Sequence, residues 1–132
     1  MKIEHIGIAV KELTTSVPLF EQLLNTPCYK TEKVENEGVN TAFFMTGPSK
    51  IELLEATKEE SPIAKFIAKK GEGIHHIAIT ADEIENDVNH AKENGMRFLG
   101  ELRTGSYGRK ITFIHPKSLN GVLVEFCQAP PR

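Results

Sequence analysis

Residues 3–10 (IEHIGIAV) and residues 74–81 (IHHIAITA) decide the fold, because the second stretch repeats the first. At an offset of 71 residues, the two stretches share isoleucine at three positions and histidine at one. Residues 50–54 (KIELL) and 123–127 (LVEFC) match at an offset of 73, and each has a glutamate between apolar neighbours. The chain therefore contains two copies of one unit, each with a histidine near its start and a glutamate near its end.

Each copy has the pattern of a βαβββ module, so we expect an α+β fold. Module one covers residues 1–58, module two covers residues 72–129, and a linking helix at residues 61–70 joins them within a single domain of residues 1–132. Apolar runs bounded by turn residues predict the strands that follow the first helix of each module. These strands are residues 28–34, 39–46 and 50–56 in module one and residues 97–102, 110–115 and 122–128 in module two.

The three helices are predicted from apolar spacing and from residues that favour helix ends. The first is expected at residues 17–24 after Ser16, and the third at residues 83–94 after Asp82 as its N-cap. The linking helix has the strongest signals, since Ser61 stands at its N-cap, a proline follows and a glycine closes it.

The composition is that of an ordinary globular domain, with 39% hydrophobic and 26% charged residues in a chain of 132. A formal net charge of −2 lacks the basic excess of a nucleic-acid binder. No apolar run approaches the roughly 18 residues of a membrane span, and the first residues lack a signal-peptide pattern. We therefore expect a cytoplasmic protein, with Cys28 and Cys127 as buried, reduced thiols.

Strand alternation places the two matching histidines on comparable faces. Successive side chains of a strand face opposite ways, so His5 lies on the face opposite Ile6 and Ile8. His76, rather than the adjacent His75, occupies the equivalent position in the second copy. The histidine face of each strand otherwise carries small residues, which leaves room beside the ring.

Glu52 and Glu125 each lie between apolar residues, so both carboxylates project to the histidine faces. A carboxylate withdrawn from water needs a cation or a metal, and no lysine or arginine repeats at a matching position. A single histidine or glutamate in a strand is more often a structural residue, but repetition in both halves favours a shared metal site. Two histidines and two glutamates, here His5, Glu52, His76 and Glu125, suit a divalent ion such as Co, Ni, Mn or Zn.

These residues resemble the vicinal oxygen chelate superfamily, whose paired βαβββ modules form a curved mixed sheet around a divalent metal. Within it, the chain most resembles the methylmalonyl-CoA epimerase family. The His-Pro-Lys segment at residues 115–117 is the more specific part, because glyoxalase I tends to have an Asp-Pro-Asp-Gly type of turn there. The matching stretches are residues 5–10, 50–55, 61–66, 73–78, 113–117 and 121–125.

The resemblance implies that His5, Glu52, His76 and Glu125 are metal ligands and that the enzyme interconverts (R)- and (S)-methylmalonyl-CoA. In such epimerases a carboxylate removes the α-proton while the metal stabilises the enolate, and we assign this catalytic role to Glu125. Some family members have a second carboxylate where this chain has Thr41, which is no base at neutral pH. The proton donor for the second face is therefore Glu52, water or Glu125 itself.

The resemblance also implies an acyl-CoA thioester substrate, a homodimer and cations near the phosphates of coenzyme A. Arg109, Lys110 and Lys117 are the candidate substrate-binding cations, with solvated surface charge as the alternative for each. His115 either orients a substrate carboxylate or hydrogen-bonds its own turn. The alternative functions are glyoxalase I-like isomerisation of a glutathione hemithioacetal and a non-catalytic ligand-binding member of the superfamily.

Overall fold

The computed structural model describes residues 1–128. The end of the predicted domain, residues 129–132, lies outside this range, and so does the last residue of module two, residue 129. Two βαβββ modules follow one another with a helix between them, which confirms the predicted α+β architecture. The elements are β1 (Ile3–Ala9), α1 (Leu13–Leu24), β2 (Lys30–Val34), β3 (Val39–Met45), β4 (Lys50–Ala56), α2 (Pro62–Lys70), β5 (Gly73–Thr80), α3 (Ile84–Glu93), β6 (Phe98–Thr104), β7 (Lys110–Ile114) and β8 (Val124–Gln128).

The chain divides into two compact units. One comprises His5–His75, and the other comprises Met1–Glu4 together with the chain from His76 onwards. In the first unit the strand order is β2-β3-β4-β1, with β1 parallel to β4 and the other pairs antiparallel. In the second unit the order is β5-β8-β7-β6, with β5 parallel to β8. The shared connectivity confirms the internal repeat.

In the first unit, helices pack against both faces of the sheet. One face buries Val10, Phe44 and Leu53 together with apolar residues of α1. On the other face, α2 packs against Ala9 and Leu54. His5 and Glu52 lie on this second face by strand alternation and are not members of the α2 cluster. The ligand candidates therefore occupy the part of the face beyond that cluster.

The second unit has one strongly apolar face. There, α3 packs with Ile84 and Val88 against Val124 and Phe126. The opposite face has a smaller apolar cluster that includes Ala78, Ile111 and Cys127. His76 and Glu125 belong to this opposite face, because they alternate with the residues that contact α3.

The predicted start of α1 was wrong. The helix begins at Leu13, Glu12 occupies its N-cap, and Ser16 is buried within it. Pro18 lies inside the helix, although a proline has no N–H to donate to the carbonyl four residues earlier. Packing of Val17 and its neighbours against the sheet stabilises the helix through that position.

The predicted cap of α3 was also wrong, whereas the cap of α2 was confirmed. The N-cap of α3 is Glu83 rather than Asp82, and the N–H of Ile84 donates to Oε1 of Gln128 at 2.6 Å. A side chain from β8 thus satisfies a donor that a local cap satisfies in other helices. In α2, Ser61 accepts a hydrogen bond from the Ile63 N–H. Predicted strand ends differ from the observed ones by at most two residues.

Two expectations from composition can be compared with the structure. Neither Cys28 nor Cys127 forms a disulfide within residues 1–128; Cys127 is buried as expected, whereas the expectation was wrong for Cys28, which is half-buried. Within residues 1–128, no helix combines the length and the hydropathy needed to cross a membrane.

We predict that Ser61→Ala destabilises the protein by about 1 kcal/mol, because it removes the N-cap of α2. The hydroxyl accepts the Ile63 N–H at 3.1 Å in a buried setting. Urea denaturation would measure the free energy of unfolding, with Thr57→Ala, an exposed position just before α2, as the control. Equal stability of the two variants would contradict the capping role.

Candidate functional site

His5 and Glu52 form a buried pair in the first unit. Parallel pairing of β1 and β4 sets Gly7 opposite Glu52, so a residue without a side chain lies beside the carboxylate. Nδ1 of His5 and Oε2 of Glu52 are 3.0 Å apart, and each side chain is 4% exposed. Oε2 is fully buried and accepts no hydrogen bond from within residues 1–128. The imidazole Nδ1 and the carboxylate Oε2 therefore lie side by side.

His76 and Glu125 form the corresponding pair in the second unit. Nε2 of His76 and Oε1 of Glu125 are 3.0 Å apart, again with buried side chains. Ala78 stands opposite Glu125 in the parallel register, as Gly7 does opposite its glutamate. The Phe113 ring contacts His76 edge to face, with centroids 5.5 Å apart, which restricts the imidazole orientation.

In each pair a ring nitrogen and a carboxylate oxygen lie 3.0 Å apart, close enough for both to contact one cation. A neutral imidazole nitrogen and a carboxylate oxygen are the donors that borderline ions such as Co, Ni, Mn and Zn prefer. The residues present therefore fit a divalent metal ion.

Thr41 lies on the same face of the first unit as Glu52. In the antiparallel register of β3 and β4, Thr41 is paired with Leu54 and Phe43 with Glu52, which places all four side chains on one face. Thr41 is 1% exposed. Thr41 is thus a buried, non-titrating hydroxyl on the face of Glu52.

Lys110 is engaged on the other face of its sheet. Its Nζ donates to Oε1 of Glu85 at 2.9 Å, and this hydrogen bond holds the pKa of Glu85 below its ordinary value. By alternation, Lys110 lies on the face of β7 that packs against α3, whereas Phe113 lies on the other face. The structure therefore does not bring Lys110 to the face that carries His76 and Glu125.

Arg109 is held by two neighbours in the second unit. Its Nη1 lies 3.5 Å from Oε1 of Glu4, and its guanidinium stacks on the Tyr107 ring at 5.2 Å. Nη1 is buried but forms no hydrogen bond within residues 1–128. The backbone of Tyr107 has φ 59°, a left-handed conformation that residues other than glycine rarely adopt.

His115 caps a short 3-10 turn at Pro116–Ser118. Its Nδ1 accepts the N–H of Lys117 at 3.0 Å. This is the turn-bonding geometry that the sequence left open for His115. Because Nδ1 accepts, the neutral ring has its proton on Nε2 and presents a donor there. The Lys117 side chain is exposed.

The sequence patterns did not identify two residues on these faces, Lys50 in the first unit and Phe113 in the second. Lys50 precedes Glu52 by two residues, so alternation alone could have placed both on one face. Phe113 becomes a neighbour of His76 through the order of strands in the sheet, for which the sequence holds no local signal.

Comparisons with known proteins show which family the chain resembles. The model of the glyoxalase/bleomycin resistance protein/dioxygenase superfamily matches residues 4–113. Human mitochondrial methylmalonyl-CoA epimerase is 35% identical over 130 residues, which cover 97% of this chain and 74% of the human protein. The ethylmalonyl-CoA/methylmalonyl-CoA epimerase of Cereibacter sphaeroides is 35% identical, with 96% of this chain and 97% of that protein covered.

Two solved structures are similar to this chain over almost its whole length. A methylmalonyl-CoA epimerase variant from Streptomyces coelicolor, in complex with 2-nitronate-propionyl-CoA, superposes with a TM-score of 0.92 at 37% identity and covers 99% of both chains. A hypothetical protein from Bacillus halodurans superposes with a TM-score of 0.95 at 45% identity and covers 99% of this chain and 96% of that chain.

We predict that His5→Ala and His76→Ala each weaken divalent-ion binding by at least about 10-fold, because each removes a ligand nitrogen. Titration of the metal-free protein with Co²⁺, monitored by calorimetry, would measure the affinity for the ion. His90→Ala, an exposed histidine on α3, is the control and should bind like the parent. Unchanged affinity in both ligand variants would exclude the imidazoles as ligands.

Proposed function

Because this chain belongs to the methylmalonyl-CoA epimerase family of the glyoxalase/bleomycin resistance protein/dioxygenase superfamily, we propose that it interconverts (R)- and (S)-methylmalonyl-CoA with the help of a divalent metal ion. The observation that carries the proposal is the buried histidine–glutamate pair that recurs in both units with the same 3.0 Å separation.

The metal is proposed to bind to His5, Glu52, His76 and Glu125. One pair supplies only two donors, and the ions suited to these donors take four or more ligands, so one ion needs both pairs. These donors suit Co, Ni, Mn or Zn alike, so the proposal does not choose among these ions. When bound, the ion supplies Lewis-acid polarisation of the thioester oxygen.

Glu125 is proposed as the base that removes the α-proton. Its carboxylate is buried among His76 and Phe113, where water does not compete for the proton. Epimerisation also needs proton return on the opposite face of the α-carbon. Thr41 has no titrating group, so that step is left to Glu52, to water or to Glu125 itself.

The coenzyme A moiety is proposed to contact residues of the second unit. The exposed ammonium of Lys117 meets a phosphate, while Arg109 and His115 supply further hydrogen-bond donors. Lys110 is not included, because its ammonium is bonded to Glu85 on the other face. The homodimer and the cytoplasmic location stay predictions from the resemblance and from the sequence.

The proposal is tested by incubating the metal-loaded protein with (R)-methylmalonyl-CoA in deuterated water. We expect deuterium at the α-carbon and formation of the (S) form. A parallel incubation with a glutathione hemithioacetal tests the glyoxalase alternative. Turnover of the hemithioacetal alone would replace the proposal, and tight binding of either compound without exchange would indicate a non-catalytic binding protein.

We predict that Glu125→Gln lowers turnover by about 10²–10⁴-fold, because an amide does not accept the α-proton. If Glu52 acts chiefly as a metal ligand, Glu52→Gln should cost less than about tenfold, or under about 1.4 kcal/mol of barrier, because the amide oxygen is still able to coordinate the ion. Both variants are compared at matched metal occupancy, with α-proton exchange and epimerisation measured separately.

The two outcomes are distinguishable. Near-parental exchange in Glu125→Gln together with its loss in Glu52→Gln would assign the base to module one. Normal exchange in both variants would show that neither carboxylate catalyses this reaction.

We predict that Lys117→Ala raises KM for methylmalonyl-CoA by about fivefold and leaves kcat unchanged, because an exposed phosphate contact acts equally on ground and transition states. Steady-state kinetics measure both constants. Lys69→Ala, which removes an exposed cation of α2, is the control. An unchanged KM in Lys117→Ala would make Lys117 an ordinary surface residue.

A further inference from the structure

Lys50 is a buried lysine on the face of the first unit that carries His5 and Glu52. It is the first residue of β4, and its Cα is paired with that of His5 in β1. The residue is 5% exposed, and its Nζ lies 5.9 Å from the centroid of the Phe43 ring. Phe43 is itself paired with Glu52 across β3 and β4. The ammonium therefore extends along the same face as the two candidate ligands.

The burial of this charge is unusual for a lysine. Lysine is rarely buried to this extent unless its ammonium has polar, anionic or aromatic partners. Phe43 supplies an aromatic face, and Lys50 makes further contacts within the fold. A positive charge in such a low-dielectric setting attracts an anion more strongly than an exposed lysine does. Lys50 is thus suited to hold an anionic group at this face.

The internal repeat does not reproduce Lys50. At the offset of 73 that aligns Glu52 with Glu125, the residue that matches Lys50 is Leu123. The histidines and glutamates occur in both modules, whereas this cation occurs in one. An acyl group with a carboxylate beside the thioester also has two different ends, one neutral and one negative. A duplicated ligand set does not distinguish these ends, but a single cation does.

We propose that Lys50 binds the free carboxylate of the acyl group and thereby makes the enzyme selective for α-carboxylated acyl thioesters. This inference rests on the proposed function, because it assumes that an acyl thioester binds at the His5 and Glu52 face. The ion pair orients the acyl group, so that one defined face of the α-carbon meets the catalytic base. Acyl thioesters without the carboxylate do not form this ion pair and bind more weakly.

The test compares two ligands that differ by the carboxylate, racemic methylmalonyl-CoA and propionyl-CoA. Calorimetry on the Co²⁺-loaded protein measures both dissociation constants, and the racemate keeps its composition even when the enzyme turns it over. Lys50→Met removes the charge at similar length, and Lys50→Arg retains it. Lys33→Met, an exposed lysine of β2 that pairs with Glu35, is the matched control.

We expect Lys50→Met to weaken methylmalonyl-CoA binding by about 10- to 100-fold and to change propionyl-CoA binding by less than about twofold. Lys50→Arg should retain most of the parent's preference, and Lys33→Met all of it. Equal weakening for both ligands in Lys50→Met would show a structural role, and no weakening for either would show no contact; both results overturn the inference.

Two further measurements keep the test decisive. If circular dichroism shows that Lys50→Met is unfolded, the parent and Lys50→Arg decide, and equal affinity of the parent for both ligands overturns the inference. Exchange of the α-proton is measured in the parent at the same time. If the parent does not exchange the α-proton, both the proposed function and this inference are overturned. If it does exchange the α-proton but Lys50→Met prefers methylmalonyl-CoA over propionyl-CoA as strongly as the parent does, this inference alone is overturned.

Discussion

The burial of two carboxylates is the constraint on which the rest of the structure depends. Glu52 and Glu125 are 3% and 6% exposed, and a buried carboxylate without a partner becomes protonated rather than staying charged. Each instead lies 3.0 Å from a histidine ring nitrogen. Such a pair presents two donors to a cation, so the same arrangement that makes the burial tolerable also makes a metal ligand set.

Parallel pairing of the first and last strand of each module produces these histidine–glutamate pairs. The pairing sets Gly7 beside Glu52 and Ala78 beside Glu125, so the residue opposite each carboxylate is small. The bulky residues that alternate with them face a helix on the other side. In the second unit the face that packs against α3 is thus separate from the face of His76 and Glu125, whereas in the first unit α2 covers part of the face of His5 and Glu52.

The two modules differ where the proposed reaction needs them to differ. The first has a buried hydroxyl at Thr41 and a buried ammonium at Lys50, and the second sets the aromatic ring of Phe113 against its histidine. The proposed metal ligands repeat in the two modules, because one ion is able to accept equivalent donors. An acyl thioester with a carboxylate has no such symmetry, so the residues that bind and deprotonate it are expected to be distinct.

The sequence by itself determined the βαβββ repeat, the capped linking helix after Ser61, and the shared face of each histidine and glutamate. These features depend on local periodicity and on end residues, which act within a few positions. Tertiary structure decided the start of α1, where sheet packing stabilises the helix through Pro18, and the start of α3, where Gln128 satisfies the first N–H. It also decided that the ammonium of Lys110 bonds to Glu85 and that Lys50 is buried beside Phe43. Those contacts join residues from separate elements, and only the order and register of the strands bring them within reach.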